Sequence, residues 1–204
     1  MKKSVVKKLY GLVLVGGKST RMKTDKAFLE FHGKIQSVYC YELLSEYCEK
    51  VFMSNRKDQR EDTGQKGFPQ IHDQEPFLGI GPLGGILSAM TTYPDVSWIV
   101  LACDLPFVTE KTIHWLIDNR DPAKQATAYQ STHDGLPEPL CAIYESHALK
   151  DLLAYFQNQK TCPRKFLINS NVELLKQTDT ISLDNINNPE EYRNALKILK
   201  KTPQ

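Results

Sequence analysis

The segment Gly16-Gly17-Lys18-Ser19-Thr20-Arg21-Met22-Lys23-Thr24-Asp25-Lys26 carries four cations in the nine positions from Lys18. Glycines let a backbone bend close to an anion and aim its N–H groups inward, while Arg21 offers a planar fork and Lys26 a point charge to phosphate oxygens. A polyphosphate suits such a loop; the bland alternative is a surface turn whose lysines are simply solvated. Gly17-Lys18-Ser19 superficially matches the end of a Walker A loop, but that pattern needs glycine five positions before Gly17, where Leu12 stands. The G-x-G-x-x-G spacing of dinucleotide sites is also missing.

Asp104 is the second residue with evident chemistry. It follows the apolar run Trp98-Ile99-Val100-Leu101-Ala102-Cys103 and precedes Leu105-Pro106. A carboxylate at that strand end can hold Mg²⁺, which bridges phosphate oxygens and offsets charge during a displacement; the alternative is an Asp that caps its own turn. The cationic loop favours the metal. Asp73, after a strand around Gln70-Ile71, has the chemistry to accept hydrogen bonds from a ribose or a base, and a solvated loop Asp is the competing reading. Cys103 reads as a small buried hydrophobe, since no histidine stands in an evident activating position. His32, His72, His114, His133 and His147 show no H-E-x-x-H or other close metal spacing.

These residues need elements to position them. Residues 9–15 form a continuous aliphatic run that stops at Gly16-Gly17, the pattern of a strand buried on both faces of a parallel sheet, whose C-terminal end is a natural ligand edge. Ile35, Val38, Tyr39, Leu43, Leu44 and Tyr47 recur at near-helical spacing, and residues 51–54 read as a second strand. Residues 59–67 read as a solvated loop. Gly79-Ile80-Gly81-Pro82-Leu83-Gly84-Gly85 predicts a glycine loop opening a helix at residues 86–90, followed by the strand at 98–103. Thr109 can cap a helix presenting Ile113, Leu116 and Ile117; residues 126–131 and 139–144 read as later strands, with helices from about Ser146 and Pro163. Asn188 is an N-cap with Pro189 at the first helical position, and Tyr192, Ala195, Leu196 and Leu199 share a face. Such alternation predicts an α/β fold with a mostly parallel sheet.

The whole chain narrows the options. Its 204 residues fit one domain, and 26 basic against 24 acidic side chains leave a formal charge of +2, too balanced for a general nucleic-acid or membrane-surface binder. The longest apolar run, residues 98–103, is far short of the roughly 20 residues needed to span a bilayer. The basic start leads into only a short apolar segment, so a secretory signal is not expected. Five cysteines without a C-x-x-C pair suit a reducing cytoplasm, with neither a disulfide framework nor a structural zinc site.

Leu14-Val15-Gly16-Gly17-Lys18-Ser19-Thr20-Arg21-Met22, then Asp25-Lys26, resembles the L-A-G-G-x-S-x-R-M-G-x-D-K signature of the molybdenum cofactor guanylyltransferases, the MobA-like nucleotidyltransferases. The resemblance continues through Gly81-Pro82-Leu83-Gly84-Gly85, Cys103-Asp104-Leu105-Pro106 and Asn185-Ile186-Asn187-Asn188-Pro189-Glu190-Glu191. It implies a single Rossmann-like nucleotidyltransferase domain over residues 1–204, with helices on both faces of the sheet. It further implies a cytoplasmic enzyme that uses GTP and Mg²⁺ to convert molybdopterin cofactor to its guanine dinucleotide, in contact with cofactor-delivering proteins. By position, Leu14, Gly16 and Gly17 would hold nucleotide, with Arg21 and Lys26 on its phosphates. Asp73 would help hold base or ribose, Gly81 to Gly85 would line the cleft, Asp104 would carry Mg²⁺, and Asn187 would lie on the pterin or product side. Two positions depart from the signature: Val15 stands for alanine, and Lys23 for the glycine after Arg-Met. The rival functions are a cytidylyl- or sugar-phosphate nucleotidyltransferase of the same fold and a non-catalytic nucleotide-binding regulatory module. Arg21, Lys26 and Asp104 together argue against the last, because binding alone does not require the metal carboxylate.

Overall fold

A computed structural model describes residues 8–15, 29–55, 67–177 and 179–201. The expectations placed on Gly16, Gly17, Arg21 and Lys26, and on residues 59–66, lie outside these described residues. The elements, in chain order, are β1 (Leu9–Leu14), β2 (Glu30–Phe31), β3 (Lys34–Ile35), α1 (Gln36–Ser45), β4 (Lys50–Asn55), β5 (Gln70–His72) and α2 (Pro82–Thr92). There follow β6 (Ser97–Ala102), α3 (Glu110–Asp118), β7 (Ala126–Gln130), β8 (Pro137–Tyr144), α4 (Leu149–Gln157), α5 (Pro163–Ile168), β9 (Val172–Lys176) and α6 (Pro189–Lys201).

Among the described residues, seven strands form one sheet in the order β5-β4-β1-β6-β8-β7-β9. β5, β4, β1 and β6 run parallel; β8 is antiparallel to both neighbours, and β9 is parallel to β7. The mostly parallel sheet expected from the apolar runs is therefore present. Its central strands explain those runs: β6 is buried along its whole length, and β1 along all but its first residue. Strands covered on both faces have no solvent side on which to place polar residues.

Glycines set how closely the helices approach. A Cβ on Gly11 would lie 3.2 Å from Leu44 of α1, whereas a Cβ on Gly85 of α2 would lie 3.0 Å from Leu14 and overlap Ser54 Oγ. Gly11 and Leu14 are three positions apart on β1 and so point to opposite faces, which puts α1 and α2 on opposite sides of the sheet. The helix start differs from the sequence expectation. α2 begins at Pro82, so Gly84 and Gly85 are helical packing positions and not part of the loop. Proline is preorganised for the first helical position, and Gly81, with φ of 71° and ψ of −149°, makes the turn into it.

Two pairings were not legible in the local pattern. β2 and β3 form a two-residue hairpin in which His32 and Gly33 both have positive φ, 56° and 73°. β9 joins the sheet edge by pairing with β7, from Ala126 opposite Val172 to Gln130 opposite Lys176. A small second core joins the hairpin to the end of the chain, with Phe31, Phe107, Ile186 and Ala195 buried and Tyr192, Leu196 and Leu199 packed against them. α6 starts as the sequence predicts: Asn188 Oδ1 accepts from the N–H groups of Glu190 and Glu191, both at 3.0 Å.

Candidate active site

The carboxyl ends of β5, β4, β1 and β6 lie side by side, because parallel strands in register bring their terminal residues to one edge. Leu14 is opposite Ser54 on one side and Ala102 on the other, and Asn55 is opposite His72. The backbone bonds continue past the strands: Val15 N–H donates to Ser54 O at 3.0 Å, Cys103 N–H to Leu14 O at 3.2 Å, and Asp73 N–H to Asn55 O at 3.3 Å. Leu14, Asp73 and Asp104, from three distant stretches of sequence, thus line a single edge. In an open α/β sheet this is where ligands bind.

Asp104 is half-buried, with its Oδ1 shielded from solvent. Its carbonyl accepts the N–H of Ile186 at 2.9 Å, which brings the chain before α6 alongside it. Asn187 is the next residue, and its own N–H donates to Glu191 Oε2 at 2.6 Å, holding it at the first turn of α6. The structure therefore places Asn187 on the Asp104 side of the edge and Asp73 on the far side of β1.

Asp73 has a structural neighbour the sequence did not reveal. Its Oδ2 lies 3.6 Å from where a Cβ on Gly84 would be, so the carboxylate faces the first turn of α2. Exposed N–H groups and the helix dipole make that turn favourable for negative charge. Gly81 is exposed at the helix entry, whereas Gly85 is buried beneath it against Leu14 and Ser54. Of the two, Gly81 is at the surface where α2 begins and Gly85 is packed beneath it.

The structure adds a polar pair to the edge. His72 Nδ1 donates to Asn55 Oδ1 at 2.6 Å, and Asn55 Nδ2 donates to Gln70 Oε1 at 3.2 Å. Asn55 ends an apolar strand just as Asp104 follows one, and that position was the available signal for it. Cys103 is buried, as its run of apolar neighbours suggested. Desolvation raises the Cys40 thiol and pushes Cys141 up to about 12, which keeps both as neutral packing groups.

Among the described residues no three His, Cys, Asp or Glu side chains group to form a metal cage. Asp104 fits the other way of holding Mg²⁺, in which one or two carboxylates and the substrate's phosphates supply the oxygens. What the described residues offer is a hard oxygen donor where parallel strands end. Gly16, Gly17, Arg21 and Lys26 follow β1 in the sequence but are outside the described residues.

Comparison with known proteins gives a consistent answer. The family model of the MobA-like NTP transferase domain matches residues 11–174. The molybdenum cofactor biosynthesis bifunctional protein of Synechocystis sp. is 40% identical over 185 residues, which cover 90% of this chain and 52% of that protein. The chain thus spans about half the length of that relative. A probable molybdenum cofactor guanylyltransferase of Bacillus cereus is 28% identical over 195 residues, covering 93% of this chain and 96% of that one. The crystal structure of molybdopterin-guanine dinucleotide biosynthesis protein A from Archaeoglobus fulgidus superposes with a TM-score of 0.77 at 24% identity, covering 95% of this chain and all of that one, and so shares the fold. With the family model matching most of its length, the chain belongs to the MobA-like NTP transferase family.

Proposed function

We propose that the protein transfers GMP from GTP to the terminal phosphate of molybdopterin cofactor, producing molybdopterin guanine dinucleotide and pyrophosphate. The observation that carries this reading is the position of Asp104. It follows the central strand β6, is bonded through its neighbour Cys103 to Leu14, and is bonded through its own carbonyl to Ile186 beside Asn187. This position supports a reading in which Leu14, Asp73 and the entry to α2 form the nucleotide side, Asn187 marks the acceptor side, and the carboxylate stands between them. Guanylyl transfer to molybdenum cofactor is in the name of the Bacillus cereus relative, and the molybdopterin-guanine dinucleotide is in the name of the Archaeoglobus protein.

The chemistry is an in-line displacement. An oxygen of the acceptor phosphate forms a bond to the α-phosphorus of GTP as the bond from that phosphorus to the bridging α–β oxygen breaks, and pyrophosphate leaves with the electron pair. Both reactants are anions, so the protein mainly positions them and neutralises charge. Leu14, Gly16 and Gly17 present backbone to the nucleotide, Arg21 and Lys26 hold its phosphates, and Asp73 holds base or ribose. Gly81 and Gly85 let α2 approach the cleft, and Asp104 holds Mg²⁺. When bound, the ion supplies positive charge against the phosphate oxygens. At about 4 Å and an effective dielectric near 20, one such charge pair is worth roughly 4 kcal/mol before desolvation.

The same reading makes the protein a cytoplasmic enzyme that receives its acceptor from cofactor-delivering proteins. No helix among the described residues is long and apolar enough to cross a membrane. Incubating the protein with GTP, CTP, ATP or UTP, Mg²⁺, and either molybdopterin cofactor or sugar phosphates tests donor and acceptor together. The expected product is the guanine dinucleotide with stoichiometric pyrophosphate. Equal or faster turnover of CTP, or of a sugar phosphate, would overturn the assignment.

A further inference from the structure

Residues 103–109 connect β6 to α3, and three of their backbone carbonyls are held by side chains from one part of the fold. His32 Nε2 donates to Pro106 O at 2.8 Å, Gln36 Nε2 to Leu105 O at 3.4 Å, and the Tyr39 hydroxyl to Val108 O at 3.1 Å. A carbonyl can only accept, so His32 carries its proton on Nε2 in this contact. The three donors come from the β2–β3 turn and the first turn of α1. Gln36 and Tyr39 share a helix face at i and i+3, and the His32 ring stacks on Tyr39 with centroids 4.2 Å apart and planes 15° from parallel. Burial pushes the Tyr39 hydroxyl up to about 12, so it remains a donor through the neutral range.

Gln36 is the informative member. It is fully buried, and among the described residues its Oε1 has no hydrogen-bond partner and its Nε2 makes only a long contact to Cys40 Sγ besides the bond to Leu105. A buried amide with an unsatisfied oxygen is a cost that methionine, of similar length and volume, would avoid. Packing alone does not favour glutamine here. What glutamine adds is a hold on the carbonyl next to Asp104.

We propose that His32, Gln36 and Tyr39 are positioning residues for Asp104: by holding the carbonyls of residues 105, 106 and 108 they fix the segment that carries the metal carboxylate before nucleotide binds. This rests on the reading of Asp104 as the Mg²⁺ carboxylate. The donors bond backbone carbonyls of the segment, and it is Asp104 that would hold the ion. They act as the supporting shell of a metal site does, where loss of one partner typically costs 10- to 100-fold in affinity or activity.

The test uses the full chain with Gln36→Met, His32→Phe and His32→Gln, beside Asp104→Asn as a reference. Gln36→Met removes the donor without opening a cavity, His32→Phe keeps the stack on Tyr39 but loses the donor, and His32→Gln restores an N–H donor. In the nucleotide- and metal-free protein, deuterium uptake at residues 104–108 and at the Ile186 amide is expected to be about 10-fold faster in Gln36→Met and His32→Phe, and near wild type in His32→Gln. In turnover, the first two should lose about 10-fold in kcat and need more Mg²⁺ for half-maximal rate, while the melting temperature of Gln36→Met stays at or above wild type. Wild-type exchange and wild-type Mg²⁺ dependence in both donor-deleted variants would overturn the proposal. So would losses that follow melting temperature and are not rescued in His32→Gln. Full turnover by Asp104→Asn would instead sink the metal reading of Asp104, and the exchange data would still report whether the three donors hold the segment.

Discussion

At the amino edge of the sheet, Glu145 is fully buried and receives Arg120 through Nε at 2.6 Å and Nη2 at 2.9 Å, with the Ser97 hydroxyl at 2.7 Å. On the same strands Tyr10 packs edge-on to Trp98 with centroids 5.6 Å apart, and Phe52 and Tyr93 complete an aromatic cluster. At the carboxyl edge, Asp73 and Asp104 are only half-buried, next to a helix entry and strand ends. Both edges carry carboxylates at strand ends: Glu145 follows β8, Asp73 follows β5 and Asp104 follows β6. The difference among the described residues lies in burial: Glu145 is fully buried with the Arg120 guanidinium on it, whereas Asp73 and Asp104 stay half-buried where parallel strands end. A fully buried, ion-paired carboxylate serves stability, and a half-buried one where parallel strands end is the candidate for chemistry.

The contrast is broken most severely at the amino edge. Glu145→Ala removes the buried carboxylate to which Arg120 donates twice, and removing one partner of a buried pair costs about 3–5 kcal/mol. For a chain of this size we expect the melting temperature to fall by roughly 10 °C, with the GTP affinity of the remaining folded protein unchanged. Thermal unfolding paired with calorimetry checks both halves; a weakened GTP site would show that the two edges are not separable.

Asp104→Asn should produce the opposite profile. Asparagine keeps size and turn-forming ability, so circular dichroism and melting temperature should stay near wild type, while kcat falls about 10²-fold or more, equivalent to about 2.7 kcal/mol of activation free energy. GTP affinity should fall less than kcat. Unchanged kcat across a Mg²⁺ or Mn²⁺ titration would remove Asp104 from the mechanism.

Gly85→Ala sharpens the comparison because it touches both packing and site. The added methyl overlaps Ser54 Oγ and crowds Leu14, so α2 must shift or the β4 end must yield. Overpacking of this kind costs about 1–3 kcal/mol. We expect a lower melting temperature together with a several-fold weaker GTP site; calorimetry showing unaltered binding would place α2's entry outside the nucleotide cleft.

The smallest effect concerns pH. The hydrogen bond from His133 Nε2 to Asp184 Oδ1, 2.7 Å long, raises the His133 pKa, with the Asp184 charge adding to it. A group whose folded pKa is raised contributes stability below its unfolded value, near 6.5, and loses it as pH rises through the folded value. The pair links the β7–β8 turn to the segment leading to Asn187, and it is exposed, so the gain is small. Melting temperatures at pH 6 and pH 8 should differ slightly less in His133→Gln than in wild type; an identical difference would show that the pair contributes nothing.

Much of the carboxyl edge was legible because its signals are local. The apolar run of β6 ending at Asp104, the run of β1 ending after Leu14, and the Asn188-Pro189 start of α6 are each patterns within a few residues, and a strand buried on both faces leaves few other readings. Gly84 and Gly85 misled for the same reason: next to Gly81 they look like loop, and only their contacts with the Phe77 carbonyl, Leu14 and Ser54 show that they are packing positions in a helix. β9 was missed because adjacent Leu174 and Leu175 break the alternation of a half-buried strand, and its place is set by β7.

What the sequence by itself determined, then, is the set of strand ends and helix starts that bear the chemical groups, because backbone and burial preferences act over a few neighbouring residues. Tertiary structure alone decided which of those ends meet. The pairing of Arg120 with Glu145, the facing of Asp73 toward α2, and the grip of His32, Gln36 and Tyr39 on the Asp104 segment join residues far apart in the chain. Such contacts depend on strand order and on the separation of packed layers, and no short stretch of sequence encodes either.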